Sequence, residues 1–132
     1  MLKADLHCHS TVSDGALAPH VVAEHAHRGG VEMWALTDHD EVGGIAAARE
    51  AATALGMRFV AGVEISITYA NETVHIVGLN IDETNADLVA GLAATRTGRD
   101  ARGREIGAQL AAAGIPDAYE GALNYVGNPD LM

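Results

Sequence analysis

Short apolar runs alternate with segments of helical periodicity through the first half of the chain. The first run, Asp5-Leu6-His7-Cys8-His9, reads as a strand with His7 and His9 on one face and Leu6 and Cys8 on the other. Val31 to Leu36 is apolar almost throughout and carries Trp34, the signature of a strand covered on both faces. Arg58 to Val63 is a third run of this kind, ending at Glu64. Between them lie two predicted helices. One spans Pro19 to His27, with Pro19 in the first turn, Val21, Val22 and Ala26 as its apolar stripe, and Gly29-Gly30 as its stop. The other runs from Val42 or Gly43 to Leu55, offers Ile45, Ala46, Ala48, Ala52 and Leu55 for burial, and stops at Gly56. Strand alternating with helix implies right-handed crossovers and a parallel sheet or barrel, so the fold class is α/β.

The alternation then breaks. Between Glu64 and the next apolar run, Val74 to Leu79, no helical crossover fits, and Tyr69-Ala70-Asn71-Glu72 has turn chemistry. A β-hairpin is expected, with His75 roughly across from Glu64. From Asp87 to Ala113 the chain is alanine-rich and helical, with Leu88, Leu92, Ile106 and Leu110 as candidates for burial. Gly98 and Gly103 predict two helices or a kinked one. Gly114-Ile115-Pro116 ends that segment, Asn128-Pro129 marks a further turn, and no repeat or low-complexity tract is present.

Composition narrows the classes. With 48% hydrophobic and 20% charged residues in 132, the chain reads as an ordinary soluble domain, and the first strand starts too early for a leader segment. A lone cysteine, Cys8, fits a reducing compartment, so a cytoplasmic location without membrane association is expected. The formal charge of −10 argues against stable binding of duplex nucleic acid. An acidic chain that handles phosphates needs positive charge from elsewhere, and divalent cations held by histidines and carboxylates supply it.

Candidate ligands gather where the strands end: His7, His9, Asp14, Asp38, His39, Asp40, Glu64 and His75. In parallel α/β folds the carboxyl ends of strands collect catalytic groups. Imidazoles mixed with carboxylates suit Mn²⁺, Zn²⁺ or Fe²⁺ better than Ca²⁺. The set exceeds what one ion needs and points to a cluster of two or three. Such a cluster clamps phosphate, polarises phosphorus and activates hydroxide at neutral pH.

His7-x-His9 followed by Asp14, then Thr37-Asp38-His39-Asp40, Gly62-Val63-Glu64 and Val74-His75-Ile76-Val77-Gly78-Leu79, resembles the polymerase and histidinol phosphatase (PHP) family of metal-dependent phosphoesterases. Within that family the likeness is strongest to the bacterial branch of 3′,5′-nucleoside bisphosphate phosphatases and 5′-to-3′ exoribonucleases. The resemblance implies the N-terminal part of a distorted (β/α)₇ barrel over residues 1–82, followed at 83–132 by the start of an inserted helical domain. It also implies a metal set: His7, His9 and Glu64 for a first ion, Asp14 and His39 for a second, and Glu64 with His75 for a third, Glu64 bridging. Manganese is the first choice, with zinc, iron or magnesium as alternatives. The implied reaction is hydrolysis of a phosphomonoester of a nucleotide or short RNA 5′ end by metal-activated hydroxide. Family members carry further ligands in a second half, and such a barrel needs about 200 residues or more. The sequence is therefore expected to be the N-terminal piece of a longer protein, and its activity alone is expected to suffer.

Other residues have plainer readings. His20, His25 and His27 are expected to be solvated or capping, Cys8 to be core, and Asp38 and Asp40 to orient ligands or cap helices instead of binding metal. Thr11 and Ser13 are loop hydroxyls within reach of a phosphate. Arg96, Arg99, Arg102 and Arg104 are half of the 8 basic residues. They fit either a solvated face paired with Asp100 and Glu105 or, for Arg96, Arg99 and Arg102, a phosphate contact near the site. The competing functions are a histidinol-phosphate-type phosphatase, a polymerase-associated exonuclease, and a non-catalytic module that binds metal or a partner.

Overall fold

The computed structural model describes residues 1–126, so the expected turn at Asn128-Pro129 lies outside the described residues. In chain order the elements are β1 (Ala4–Asp5), α1 (Pro19–Arg28), β2 (Met33–Leu36), α2 (Ile45–Ala54), β3 (Arg58–Tyr69), β4 (Glu72–Leu79), α3 (Ala86–Ala112) and α4 (Ala118–Leu123). The four strands form one mixed sheet in the order β1-β2-β3-β4, curled into a half-barrel. β1 pairs with β2 and β2 with β3 in parallel, while β3 and β4 are antiparallel. The α/β reading and the hairpin both hold.

The core lies between the sheet and the α1–α2 pair. Ala23 from α1, Trp34 and Leu36 from β2, Ala48 and Ala52 from α2, and Met57 pack there, with Cys8 and Phe59 at its margin. The small residues of α2 let it approach the sheet closely, and the Trp34 and Phe59 rings meet at 5.7 Å between centroids. Truncating a fully buried residue such as Leu36 to Ala would cost about 2–5 kcal/mol. This core anchors the strand ends that carry the polar residues.

Three expectations need correction. First, the β1 ladder is only 2 residues long, so His7 and His9 stand beyond it. Thr37 keeps that extension alongside β2: its N–H donates to the Cys8 carbonyl at 2.9 Å, and its hydroxyl accepts from the Cys8 N–H at 3.2 Å. Second, the register sets His75 opposite Ser66 and Glu64 opposite Val77. Glu64 and His75 are diagonal neighbours on one face, not a direct pair. The turn that sets this register is two residues long, and Ala70 (φ 51°) and Asn71 (φ 68°) both take the left-handed conformation that tight hairpins require.

Third, α3 is one helix of 27 residues that runs through Gly98 and Gly103 without a break. Its start is capped by the Asn85 side chain, which accepts from the Leu88 N–H. The glycine pattern has a packing cause further along. A Cβ on Gly107 would come within 2.8 Å of the Tyr119 Cβ, so the missing side chain lets α4 sit against α3. Leu92 is buried as expected, but Ile106 is 51% exposed, because α4 packs on the glycine face beside it.

Candidate metal centre

Two loops and the β3–β4 hairpin bring their polar residues together. The first, after His9, carries Asp14 and is pinned from beneath by the buried carboxylate of Asp38. Asp38 accepts from the Ser10 N–H at 2.7 Å, the Ser10 hydroxyl at 2.7 Å and the Ser13 hydroxyl at 2.6 Å. Gly15 lets this loop close, since a Cβ there would lie 2.6 Å from the His9 carbonyl oxygen. The second loop carries His39, which forms an isolated parallel bridge with Glu64. The Glu64 N–H donates to the Asp38 carbonyl at 3.2 Å, and the Asp40 N–H donates to the Glu64 carbonyl at 2.9 Å. The hairpin supplies His75.

Glu64 is the hub. Its Oε2 lies 2.6 Å from His7 Nε2, 3.0 Å from His9 Nε2 and 3.8 Å from His39 Nε2, and its Oε1 lies 3.7 Å from His75 Nδ1. Asp14 completes the far side, with Oδ1 3.2 Å from His9 Nδ1 and Oδ2 3.7 Å from His39 Nε2. Three sets of ligand atoms fall within 4.8 Å of one another: His7, His9 and Glu64; His9, Asp14 and His39; and His39, Glu64 and His75. All six residues singled out as ligands therefore converge. The structure adds His9 to the Asp14–His39 pair and His39 to the Glu64–His75 pair, a sharing that linear spacing did not reveal.

The electrostatics suit a cation. Burial pushes the Glu64 pKa up, but the hydrogen bond from His7 and the charges of His39, His7 and His9 outweigh it and hold the carboxyl below its ordinary value. Burial pulls the His39 pKa down and, despite Glu64, leaves it below its ordinary value, which favours the neutral imidazole with a lone pair for metal. Among the described residues the buried Nδ1 atoms of His9 and His39 make no well-aligned hydrogen bond, Asp14 reaching that of His9 only as an ion-pair contact. Four imidazoles, two carboxylates and no thiolate form a donor set that fits Mn²⁺, Zn²⁺ or Fe²⁺.

The surrounding residues divide by contact. Asp40 is fully buried, and its Oδ1 accepts from the Ser66 N–H at 2.7 Å. Arg99 pairs with the Asp40 carboxylate, and Arg96 donates to the Asp40 carbonyl and meets Glu41 at 3.1 Å. Arg104 pairs with Asp100 as a solvated helix pair, whereas Glu105 accepts from Gln109. Thr11 is half-buried and its N–H donates to the Leu17 carbonyl; the Ser13 hydroxyl is engaged by Asp38. A cavity of about 750 Å³ opens from Asp14, His39 and His75 toward Arg99, Arg102 and Ile106. His20, His25 and His27 are exposed on α1. The Cys8 thiol donates to Asp5, and burial pushes its pKa up to about 11. Ser10 and Ser66 hold the site together but carry no mark in the sequence, because a buried serine is recognised by its partner and not by spacing.

Comparison with known proteins gives the family. A family model described as the PHP domain matches residues 5–121, and the chain belongs to that family. It is 46% identical over 132 residues to the 3′,5′-nucleoside bisphosphate phosphatase of Chromobacterium violaceum, covering 100% of this chain and 46% of that protein. It is 47% identical over 120 residues to a 5′-3′ exoribonuclease of Haemophilus influenzae, covering 91% of this chain and 44% of that one. Among solved structures, an amidohydrolase from Chromobacterium violaceum with bound sulfate and no metal superposes with a TM-score of 0.92 at 46% identity, over 98% of this chain and 46% of that one. A protein of Bifidobacterium adolescentis provisionally assigned as a metal-dependent phosphoesterase matches with a TM-score of 0.76 at 30% identity, over 84% of this chain and 39% of that one. The chain thus spans less than half the length of these relatives. No helix among the described residues is long and apolar enough to cross a membrane.

Proposed function

We propose that this chain carries the metal-binding part of a phosphoesterase that hydrolyses phosphomonoesters of nucleotides, 3′,5′-nucleoside bisphosphates or the 5′ ends of short RNA. The observation that supports this reading best is the convergence of His7, His9, His39 and His75 on one buried carboxylate, Glu64. We assign His7, His9, Asp14, His39, Glu64 and His75 as metal ligands, with manganese as the first candidate. Divalent ions, when bound, polarise phosphorus and lower the pKa of water.

The chain's own residues do the positioning. Glu64, ionised and shared by two of the ligand sets, links those sets to each other. Asp38 fixes the loop of Asp14, and Asp40 fixes the strand of Glu64. The phosphoryl group sits at the cavity end lined by Asp14, His39 and His75. A second phosphate falls to Arg102 on the same cavity, since Arg96 and Arg99 are held on Asp40. Residues 1–82 form the barrel part in this reading, and 83 onward supply the cavity's far wall.

The test is turnover with Mn²⁺ on adenosine 3′,5′-bisphosphate, AMP, a 5′-phosphorylated RNA oligomer and histidinol phosphate. Release of phosphate or mononucleotide from the bisphosphate or the RNA, ahead of the others, is expected. Metal binding without turnover of any of them, by a full-length parent that also carries the second half of the barrel, would favour a non-catalytic metal-binding module. Preference for histidinol phosphate would overturn the nucleotide assignment.

A further inference from the structure

Asp40 occupies a costly position. Its carboxylate is fully buried, and its backbone lies at φ 51°, in the left-handed region that a residue with a Cβ seldom adopts. Two contacts give that position a use. Its N–H donates to the Glu64 carbonyl at 2.9 Å, and its Oδ1 accepts from the Ser66 N–H at 2.7 Å. Asp40 therefore grips β3 on both sides of Ile65, and it does so one residue after the ligand His39. The relative placement of Glu64 and His39 depends on this grip.

A buried carboxylate holds such a grip only if its charge is answered. Arg99, on α3 and 59 residues away in sequence, answers it: Nη2 donates to Asp40 Oδ2 and also to the Ser66 hydroxyl at 3.2 Å. The Ser66 hydroxyl in turn faces His75 Nδ1 at 3.4 Å. One guanidinium nitrogen thus touches both residues that brace the ligand strands. Arg96 adds a bond to the Asp40 carbonyl from the preceding turn of the same helix.

We propose that Arg99 is a positioning residue for the metal centre, acting through Asp40 to hold Glu64 and His39 in register, so that docking of α3 sets the metal affinity. This rests on the metal-centre reading above and assigns Arg99 a task other than phosphate contact. Its charge is used against Asp40. The metal ligands themselves remain unchanged, so the effect appears as a weaker and differently shaped site instead of an absent one.

The test uses Co²⁺ alone, read by titration calorimetry and by its visible absorption bands, on the whole chain and its variants. Arg99→Ala is expected to weaken Co²⁺ binding tenfold or more and to alter the bands. Arg104→Ala, which breaks a solvated pair on the same helix, is expected to change neither. In an Asp40→Asn background, where no buried charge needs an answer, adding Arg99→Ala is expected to cost less than threefold further. Unchanged binding and bands in Arg99→Ala, or equal tenfold losses in both backgrounds, would overturn the proposal. If Arg99→Ala alone does not fold, Asp40→Asn is compared with the double variant: equal affinities support the proposal, and a further tenfold loss overturns it. No Co²⁺ binding by the unmodified chain would instead overturn the metal-centre reading, and this inference with it.

Discussion

His39 and Glu64 are joined by a single parallel backbone bridge, and their side chains approach to 3.8 Å. The β2–β3 ladder, whose last regular pair is Leu36 with Ala61, thus extends by one isolated step into the metal centre. Two ligands are thereby tied to the same backbone that packs Trp34 and Leu36 into the core. Rigid placement of this kind is what a metal site needs from its scaffold.

Replacing Glu64 with Gln is the most damaging conservative change to the centre. It keeps the shape and removes the charge on which His7, His9, His39 and His75 converge. Mn²⁺ affinity should fall by more than about a hundredfold, beyond the roughly 10–100-fold range of residues that only support ligands. Titration followed by the Mn²⁺ paramagnetic resonance signal reads this directly. Retention of wild-type affinity would remove Glu64 from the hub.

Asp38→Ala should cost stability as well as metal. It leaves the Ser10 N–H and the Ser10 and Ser13 hydroxyls without their acceptor in a buried position. A loss of about 2–4 kcal/mol follows from unsatisfied buried donors. Urea unfolding measures it, and a change below about 0.5 kcal/mol, the level of an ordinary surface substitution, would mean that solvent reaches these groups.

Much of the site was legible because its ligands sit at predictable places. The switch from apolar runs to polar residues marked His7, His9, Asp14 and His39 at or just past strand ends, whereas Glu64 and His75 lie inside the longer β3 and β4 of the hairpin. The supporting contacts were not legible. Asp38 and Asp40 could be read as supporting residues, but their partners could not, because Ser10 and Ser66 are ordinary serines until the fold brings them against those carboxylates. Arg99 reaches Asp40 across 59 residues, and no local pattern encodes that distance. Of the two forms expected at Gly98 and Gly103, separate helices failed for a related reason: packing of Tyr119 against Gly103 and Gly107 outweighs the propensity cost of glycine. The sheet register was also missed by two residues, because it is set by the left-handed Ala70-Asn71 turn and not by where the ligands are needed.

Cys8 should resist alkylation. Its pKa, raised from 9.0 to about 11, leaves roughly a hundredfold less thiolate at pH 8 than an unperturbed thiol has. Iodoacetamide should therefore label the folded chain far more slowly than the urea-unfolded one. The sign for stability follows. The folded state keeps its proton longer, so the contribution is fully present below the unfolded pKa and is lost as pH rises from about 9 toward 11. Equal labelling rates in the two states would place the thiol in solvent.

The central claim is that His7, His9 and Glu64 hold an ion together, with His39, Asp14 and His75 completing a cluster. Anomalous diffraction from crystals soaked in Mn²⁺ tests it most directly. A peak about 2.0–2.3 Å from a Glu64 oxygen and from a nitrogen of both His7 and His9 is predicted, the ordinary range for such ligands. Ordered Mn²⁺ found only at other residues, with the Glu64 cluster holding none at saturating metal, would contradict it.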